Sequence, residues 1–292
     1  MRQTLGPHFA ARHSPDYPVV LIYNPDDFVY DRHASGTILG RWGRVKRALR
    51  RAGRTRYKSG QGPDMPNALA IFAKAPVAGQ VKTRLCPPLT PEQAADLSRC
   101  FLLDTVERMC RLDAVQVFLA ITPADSQPLF RSLLPFPVRY QPQRGASLGG
   151  RQMNTLRDLL AAGFSRAVLI GSDIPSLPAA HVQAAFRRLE DPGCDAVFGP
   201  SRDGGYYLVG VREVHRPLFE NIAWSTPQVL QQTLEQARKH GYAVALVPSW
   251  SDVDTPQDLL RLAGETRGRE GEADDAPRTR QALARLGFDG GQ

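Results

Sequence analysis

ALAIFAKAPVAGQVKTR, residues 68–84, decides how the rest of the chain is read. Its first six residues form an apolar run of strand length, and the next eleven form a loop carrying Lys74, Pro76, Gly79, Lys82, Thr83 and Arg84. Thr90-Pro91-Glu92-Gln93 then supplies the N-cap, proline and glutamine of a helix start. Strand, cationic loop and helix in that order open an α/β sheet.

Working outward, the first helix runs to about Cys110. A strand follows at Val115 to Ile121, a helix near Ser126 to Leu134, a short strand at Val138 to Gln141 and a helix from about Gly150 to Ala162. AVLIG, residues 167–171, has the apolar run of a strand buried on both faces. After the turn Ser172-Asp173-Ile174-Pro175 come a helix from Pro178 to Glu190, strands at Ala196 to Phe198, Tyr206 to Val211 and Ala243 to Val247, and a helix from Thr226 to His240. The pattern predicts a three-layer α/β/α sandwich with a mostly parallel central sheet, whose ligands lie outside the carboxyl ends of the strands. Three segments follow: a largely irregular basic extension, 1–66; the sheet domain, 67–262; and 263–292, a polar, flexible linker from Gly264 to Asp275 with a short helix, Pro277 to Phe288, presenting Ala282, Leu283 and Leu286 on one face.

A chain of 292 residues, 42% of them apolar, buries a core of its own. No apolar run is long enough to span a bilayer, and the polar start, Met1 to His13, lacks the apolar stretch of a secretory signal. Cys86, Cys100, Cys110 and Cys194 include no C-x-x-C pair, which excludes the usual zinc spacings and fits a reducing, cytoplasmic setting. The net charge of +8 is unevenly placed: residues 1–66 hold 12 Lys and Arg against 5 Asp and Glu, mostly between Arg41 and Lys58, whereas the remainder is nearly neutral at 25 against 24. A neutral body argues against nucleic acid as its partner and leaves the arm as a solvated extension or a polyanion-binding tail. Met65 stands just ahead of the first strand, so residues 1–64 are expected to be dispensable for folding.

The loop at 74–84 has the chemistry of a phosphate cradle, because glycine admits backbone N–H groups and Lys and Arg neutralise oxygens. It matches neither a Walker loop nor G-x-G-x-x-G. Three acidic sites lie at expected strand ends: Asp173, Asp203 beside Gly204 and Gly205, and Asp254 in Ser251-Asp252-Val253-Asp254-Thr255-Pro256. Converging carboxylates suit Mg²⁺ or Mn²⁺ bridging to a diphosphate. Each acid also has a structural reading: Asp173 as a helix cap, Asp203 as a turn residue, Asp254 as an N-cap. GASLG, residues 145–149, imitates a nucleophile elbow, but Pro142, Gln143 and Arg144 separate it from the preceding strand, which excludes the sharp strand-to-helix turn. Ser225 reads as a helix cap, and Trp224 as core or as a stacking face.

Five ordered blocks carry a family likeness: FAKAPVAGQVKTRL (72–85), GSDIPSLP (171–178), GPSRDGGYYLVG (199–210), WSTPQVL (224–230) and DVDTPQDL (252–259). Through them residues 67 to about 260 resemble the bacterial rSAM/selenodomain-associated transferases, also described as arsenosugar-biosynthesis-type glycosyltransferases, of the nucleotide-diphospho-sugar transferase superfamily. The resemblance implies a GT-A fold, a nucleotide against the first loop and a divalent metal at Asp173. The loop and acids are also similar to those of guanylyl- and cytidylyltransferases for phospholactate and molybdenum cofactors. Two departures stand out: Ser-Asp-Ile-Pro lacks the second acid of a D-x-D, and Leu148-Gly149-Gly150-Arg151-Gln152-Met153 only approximates the family's Leu-Gly-Glu-Arg-Met.

The leading expectation is Mg-dependent glycosyl transfer from a nucleotide-diphospho-sugar to a small-molecule acceptor. Lys74, Lys82, Thr83 and Arg84 would hold the diphosphate, Gly79 would shape the loop, and Asp173 with Asp203 would hold the metal. Lys82 joins these two acids as a catalytic group, Asp254 orients a ligand or metal water, and Gly204, Gly205, Tyr206, Tyr207 and Trp224 line the acceptor side. The alternative is nucleotidyl transfer from a nucleoside triphosphate to a phosphorylated small molecule. A reading of another class is a nucleic-acid or membrane-surface binder that uses the basic arm on a catalytically idle body. Oligomeric state is left open.

Overall fold

The structure is a computed structural model, described for residues 67–267 and 276–288. The basic extension with its Arg41 to Lys58 run, the start at Met65 and the polar segment 268–275 lie outside the described residues.

Seven strands form one sheet: β1 Asn67–Lys74, β2 Val115–Thr122, β3 Arg139–Pro142, β4 Arg166–Gly171, β5 Ala196–Pro200, β6 Tyr206–Val211 and β7 Val244–Leu246, in the order β3-β2-β1-β4-β6-β5-β7. Only β6 runs against its neighbours. The helices are α1 Pro91–Met109, α2 Gln127–Leu133, α3 Leu148–Ala161, α4 Ala179–Arg188, α5 Val229–His240, α6 Pro256–Thr266 and α7 Pro277–Arg285. The mostly parallel α/β/α arrangement expected from the sequence is present, with the expected elements in order.

Both faces of the central strands are covered. Leu69, Ile71, Val168 and Ile170 pack with Val106 and Met109 of α1 and Val182 and Phe186 of α4. Ala68, Ala70 and Leu169, from the same strands, pack with Phe198, with Leu156 and Leu159 of α3 and with Ala237 of α5. Two-sided burial explains why β1 and β4 read as continuous apolar runs rather than alternating ones. Each fully buried Leu or Phe contributes about 1.5–3 kcal/mol.

From β1 the chain moves to β2 and β3 on one side, then crosses to β4 on the other, so the order of travel reverses between β1 and β4. A crevice opens at the carboxyl ends of the strands flanking such a reversal. Because β6 runs backwards, its first residue, Tyr206, reaches the same edge as the last residues of β1, β4 and β5.

Two boundaries differ from expectation. Ser225 does not cap a helix: its φ is 65°, and α5 starts only at Val229 behind Gln228. Helix α6 continues past Leu262 to Thr266, whose buried hydroxyl donates to the Leu262 carbonyl at 2.9 Å.

Helix α7 has no capping side chain of its own. Asp104 of α1, whose side chain is 0% exposed, accepts from the Thr279 N–H at 2.7 Å and pairs with the Arg278 guanidinium at 3.0 Å. A carboxylate from another helix thus supplies the charge and acceptor that a helix start favours. Asp104→Ala should cost about 2–3 kcal/mol, since a buried charged acceptor is lost and N–H groups are left unpaired. Urea denaturation measures this, and an unchanged midpoint would contradict the capping role.

Candidate functional site

Strand β1 delivers Lys74 to the crevice with its side chain exposed. The turn beyond it favours Gly79 for its φ of 74°, a backbone requirement and not a packing one, since no atom lies within 4 Å of where a Cβ would sit. Lys82 also has a left-handed backbone, φ 50°, and opens a short 3₁₀ turn, Thr83–Leu85, anchored by buried Leu85. Its ammonium lies 2.7 Å from Asp173 Oδ2 and 2.9 Å from Asp254 Oδ1, and donates to the Val253 carbonyl at 2.6 Å. Only 4% of the side chain is exposed. Burial works against the charge, but Asp173 and Asp254 outweigh it and hold the Lys82 pKa above the ordinary lysine value. The lysine expected to face phosphate is therefore already neutralised by protein oxygens.

The two acids are themselves fixed. Buried Arg108 of α1 donates to the carbonyls of Pro175 and Leu177, and Thr105 donates to that of Ser172, so α1 holds the turn that carries Asp173. Asp173 does not cap α4, whose N-cap is Pro178. Its carbonyl accepts from the Val253 N–H at 3.1 Å, which ties the β4 end to the segment after β7. In that segment Thr255 caps α6 with Asp258 in a reciprocal capping box, so Asp254 is free of the N-cap role and turns to Lys82. Arg261 donates to the Asp252 carbonyl at 2.8 Å and braces the same stretch from α6.

The crevice is a cleft of about 610 Å³. Its charged lining comprises Lys74, Lys82 and Arg84 against Asp173, Asp203, Asp252 and Asp254. Arg84, 75% exposed, reaches only to 3.7 Å from Asp254. Thr83 also lines the cleft, whereas Gly79 does not and acts through the turn alone. Asp203 accepts from the Gly205 N–H at 2.9 Å, a turn role that coexists with its place in the cleft wall. Asp252 is the residue that sequence reasoning passes over, since nothing in SDVDTPQD separates it from Asp254. Burial, with Asp254 and Asp203 facing it, pushes its carboxyl up to about 6. Among the described residues, no group of three or more acids, histidines or cysteines is close enough to hold a metal ion unaided.

The opposite wall is uncharged. Tyr206 lies beside Phe198 and Trp224, at ring-centroid distances of 4.9 and 6.3 Å. Its hydroxyl donates to Gln152 Oε1 at 2.6 Å. Trp224 rests on Gly149, where a Cβ would collide with the indole and with the Phe219 carbonyl. Two residues placed on this side by sequence do not line the main cleft, although Tyr207 lines the hollow that adjoins it. Tyr207 packs in the other core and donates to the Pro248 carbonyl at 2.8 Å, with Gly199 leaving room for its ring. Gly204, φ 87°, sits against the Pro227 carbonyl outside the cleft lining and fixes the 224–227 loop instead. Ser147 of the GASLG stretch caps α3 through the Gly150 N–H at 3.0 Å. Among the described residues no helix is long and apolar enough to cross a membrane.

Sheet order and a ligand-sized cleft at the switch point define an α/β protein of GT-A type. Over 76% of its length the chain matches the crystal structure of a provisionally named nucleotide-diphospho-sugar transferase from Desulfovibrio desulfuricans G20, at 33% identity and a TM-score of 0.68, covering 97% of that chain. Residues 105–226 match the family described as "uncharacterized protein conserved in bacteria", DUF2064. The chain is also 25% identical over 196 residues, 65% of this chain and 82% of the relative, to the 2-phospho-L-lactate guanylyltransferase of Methanothermobacter thermautotrophicus.

The charge arrangement has measurable consequences. An acid whose folded pKa lies above its unfolded value favours folding only while protonated, so Asp252 opposes folding increasingly from about pH 4 to about 6 and steadily above. Asp252→Asn should raise stability by about 1–2 kcal/mol at pH 8, allowing for solvent screening, and make no difference at pH 4. Denaturant titrations at the two pH values check this. Lys82, with its pKa raised, stabilises fully below 10.5 and loses that contribution as pH climbs through the higher folded value. Lys82→Met should cost about 3 kcal/mol at pH 7, because two carboxylates lose their counter-charge. Equal melting of mutant and wild type at pH 7 would remove the ammonium from the centre of the site.

Proposed function

We propose that the protein is a nucleotide-dependent transferase that moves a glycosyl group from a nucleotide-diphospho-sugar to a small-molecule acceptor, with Mg²⁺ or Mn²⁺ as cofactor. The observation that carries the reading is the charge balance of the cleft. Asp173 and Asp254 already occupy Lys82, which leaves Lys74 and the exposed Arg84, only loosely paired with Asp254 at 3.7 Å, as the cations of the lining open to a ligand. Two such cations beside four carboxylates suit a diphosphate together with one divalent cation, and suit a triphosphate less well. The likeness to the D. desulfuricans protein, whose printed name is that of a nucleotide-diphospho-sugar transferase, supports the same donor class. The five blocks shared with arsenosugar-type glycosyltransferases point the same way.

The residues present fit the metal. Asp252 is held protonation-prone by Asp203 and Asp254, a repulsion that a bound cation relieves, and Asp173 keeps a second carboxylate oxygen besides the one on Lys82. Asp173 and Asp203 would hold it, with the remaining positions taken by water and ligand phosphate oxygens, since the acids do not converge closely enough to hold an ion by themselves. The cation supplies neutralising charge for the departing diphosphate. The chain's own residues do the rest: Lys74 and Arg84 bind phosphate oxygens, Lys82 locks the two acids in place, Thr83 offers a hydroxyl at the loop, and Trp224 and Tyr206 present an aromatic wall to the uncharged part of a substrate.

Nucleotidyl transfer to a phosphorylated acceptor is the second reading, favoured by the match to the guanylyltransferase over 82% of that relative. Thermal-shift titration separates the two. Nucleotide-diphospho-sugars with Mg²⁺ should raise the melting temperature more than either component alone, because only a ligand of the folded state stabilises it. Stabilisation by nucleoside triphosphates alone would install the second reading, and no shift with either class would overturn both.

A further inference from the structure

We infer that Gln152, oriented by Tyr206, is a specificity-determining hydrogen-bond donor that recognises a neutral oxygen, carbonyl or hydroxyl, on the uncharged end of the nucleotide substrate. This rests on the nucleotide reading above and names how the end away from the phosphates is selected.

Gln152 lies on the second turn of α3 and only 6% of it is exposed. It lines both the main cleft and an adjoining hollow of about 290 Å³, whose walls include Phe72, Leu169 and Tyr206 and, where it meets the cleft, Lys74, Asp173 and Asp252. Tyr206 hydrogen-bonds its carbonyl oxygen, and among the described residues its amide nitrogen has no partner. The Tyr206 hydroxyl donates to Gln152 Oε1 at 2.6 Å, and the neighbouring hydrogen bonds leave the amide oxygen on that side. With the oxygen fixed, the NH₂ points away from Tyr206, toward the space that the two cavities share. An amide donor without a protein partner that opens on the cleft, with its oxygen pinned by Tyr206, is placed to donate to a ligand acceptor in exchange for water.

The surroundings define what is read. Leu148, 43% exposed, and the rings of Tyr206 and Trp224 share the cleft lining with the amide, and Asp173 and Asp252 share the adjoining hollow with it, so a further anion at Gln152 would meet carboxylates. A phosphate is better served by Lys74 and Arg84. A neutral oxygen on a ring that can lie against aromatic side chains fits Gln152, and a site built to donate a hydrogen bond discriminates strongly against ligands lacking the acceptor.

The test compares inorganic pyrophosphate, nucleoside diphosphates and nucleotide-diphospho-sugars, each with Mg²⁺, by calorimetry on the full chain. Gln152→Met combined with Tyr206→Phe removes both partners of the bond, so neither is left unsatisfied and the fold is kept. Gln152→Leu alone is the second variant. Pyrophosphate, which reaches only the charged wall, should bind both variants as it binds wild type. The preferred nucleotide ligand should bind about tenfold more weakly. Loss with both nucleotide classes places the recognised oxygen on the nucleoside, and loss with nucleotide-sugars alone places it on the sugar. Undiminished binding of both classes overturns the role of Gln152 while leaving the nucleotide reading intact. A wild-type protein that binds neither pyrophosphate nor nucleotide overturns both.

Discussion

An ammonium enclosed by Asp173, Asp254 and the Val253 carbonyl is the interaction around which this site is organised. Three segments distant in sequence meet on it: the loop leaving β1, the turn after β4 and the stretch between β7 and α6. A buried lysine is tolerable only when its charge is compensated and its protons are accepted, and here two carboxylates and a carbonyl do both. The same contacts determine where the acids can be. With one oxygen of each of Asp173 and Asp254 drawn to Nζ, the remaining carboxylate oxygens, together with those of Asp203 and Asp252, form the charged wall of the cleft.

The scaffold reinforces this arrangement from behind. Arg108 and Thr105 of α1 hold the carbonyls of the 172–177 turn, and Arg261 of α6 holds Asp252 from the other side. Helix α1 also carries Asp104, which caps α7. One helix thus braces the turn carrying an acid on one side and the C-terminal helix on the other. Positioning of this kind, through backbone carbonyls rather than through the acids, leaves the carboxylates available to ligands.

The fold was legible because its signals are local. Apolar runs at 68–73 and 167–171, the Thr-Pro-Glu-Gln and Thr-Pro-Gln-Asp helix starts and the turn chemistry between them each act over a few residues. The edge of the sheet that carries the site followed from topology, since parallel strands bring their carboxyl ends together. What sequence could not supply was pairing. Nothing in KTR distinguishes a lysine that faces phosphate from one that neutralises Asp254, 172 positions away. Similarly, Tyr206 and Tyr207 are neighbours in one motif, and the alternation of side chains along β6 gives them to opposite faces of the sheet and so to different cores, but which of the two meets the cleft depends on the elements packed on each face. Asp252 was hidden among acids of one cluster, and Gln152 among the polar residues of an amphipathic helix, because burial against a partner from another element is what singles each of them out.

The acid excess of the cleft is unfavourable for the free protein, and that is informative. Asp252 faces Asp203 and Asp254 in a partly dry setting, an arrangement that raises its pKa and opposes folding at neutral pH. Packing alone gives no reason to keep three mutually repelling carboxylates around a cleft when an amide would fit the same space. Stability lost in this way is characteristic of sites shaped for a ligand absent from the free protein, and the cation proposed above would bring charge opposite to the acids. The uncharged wall completes the argument from the other direction: beside Tyr206 and Trp224, the amide of Gln152 is polar without being charged, so a ligand suited to both walls carries its negative charge at one end and a neutral ring at the other. Such a ligand is of the kind proposed above, and the argument for it rests on the side chains of this cleft rather than on any relative.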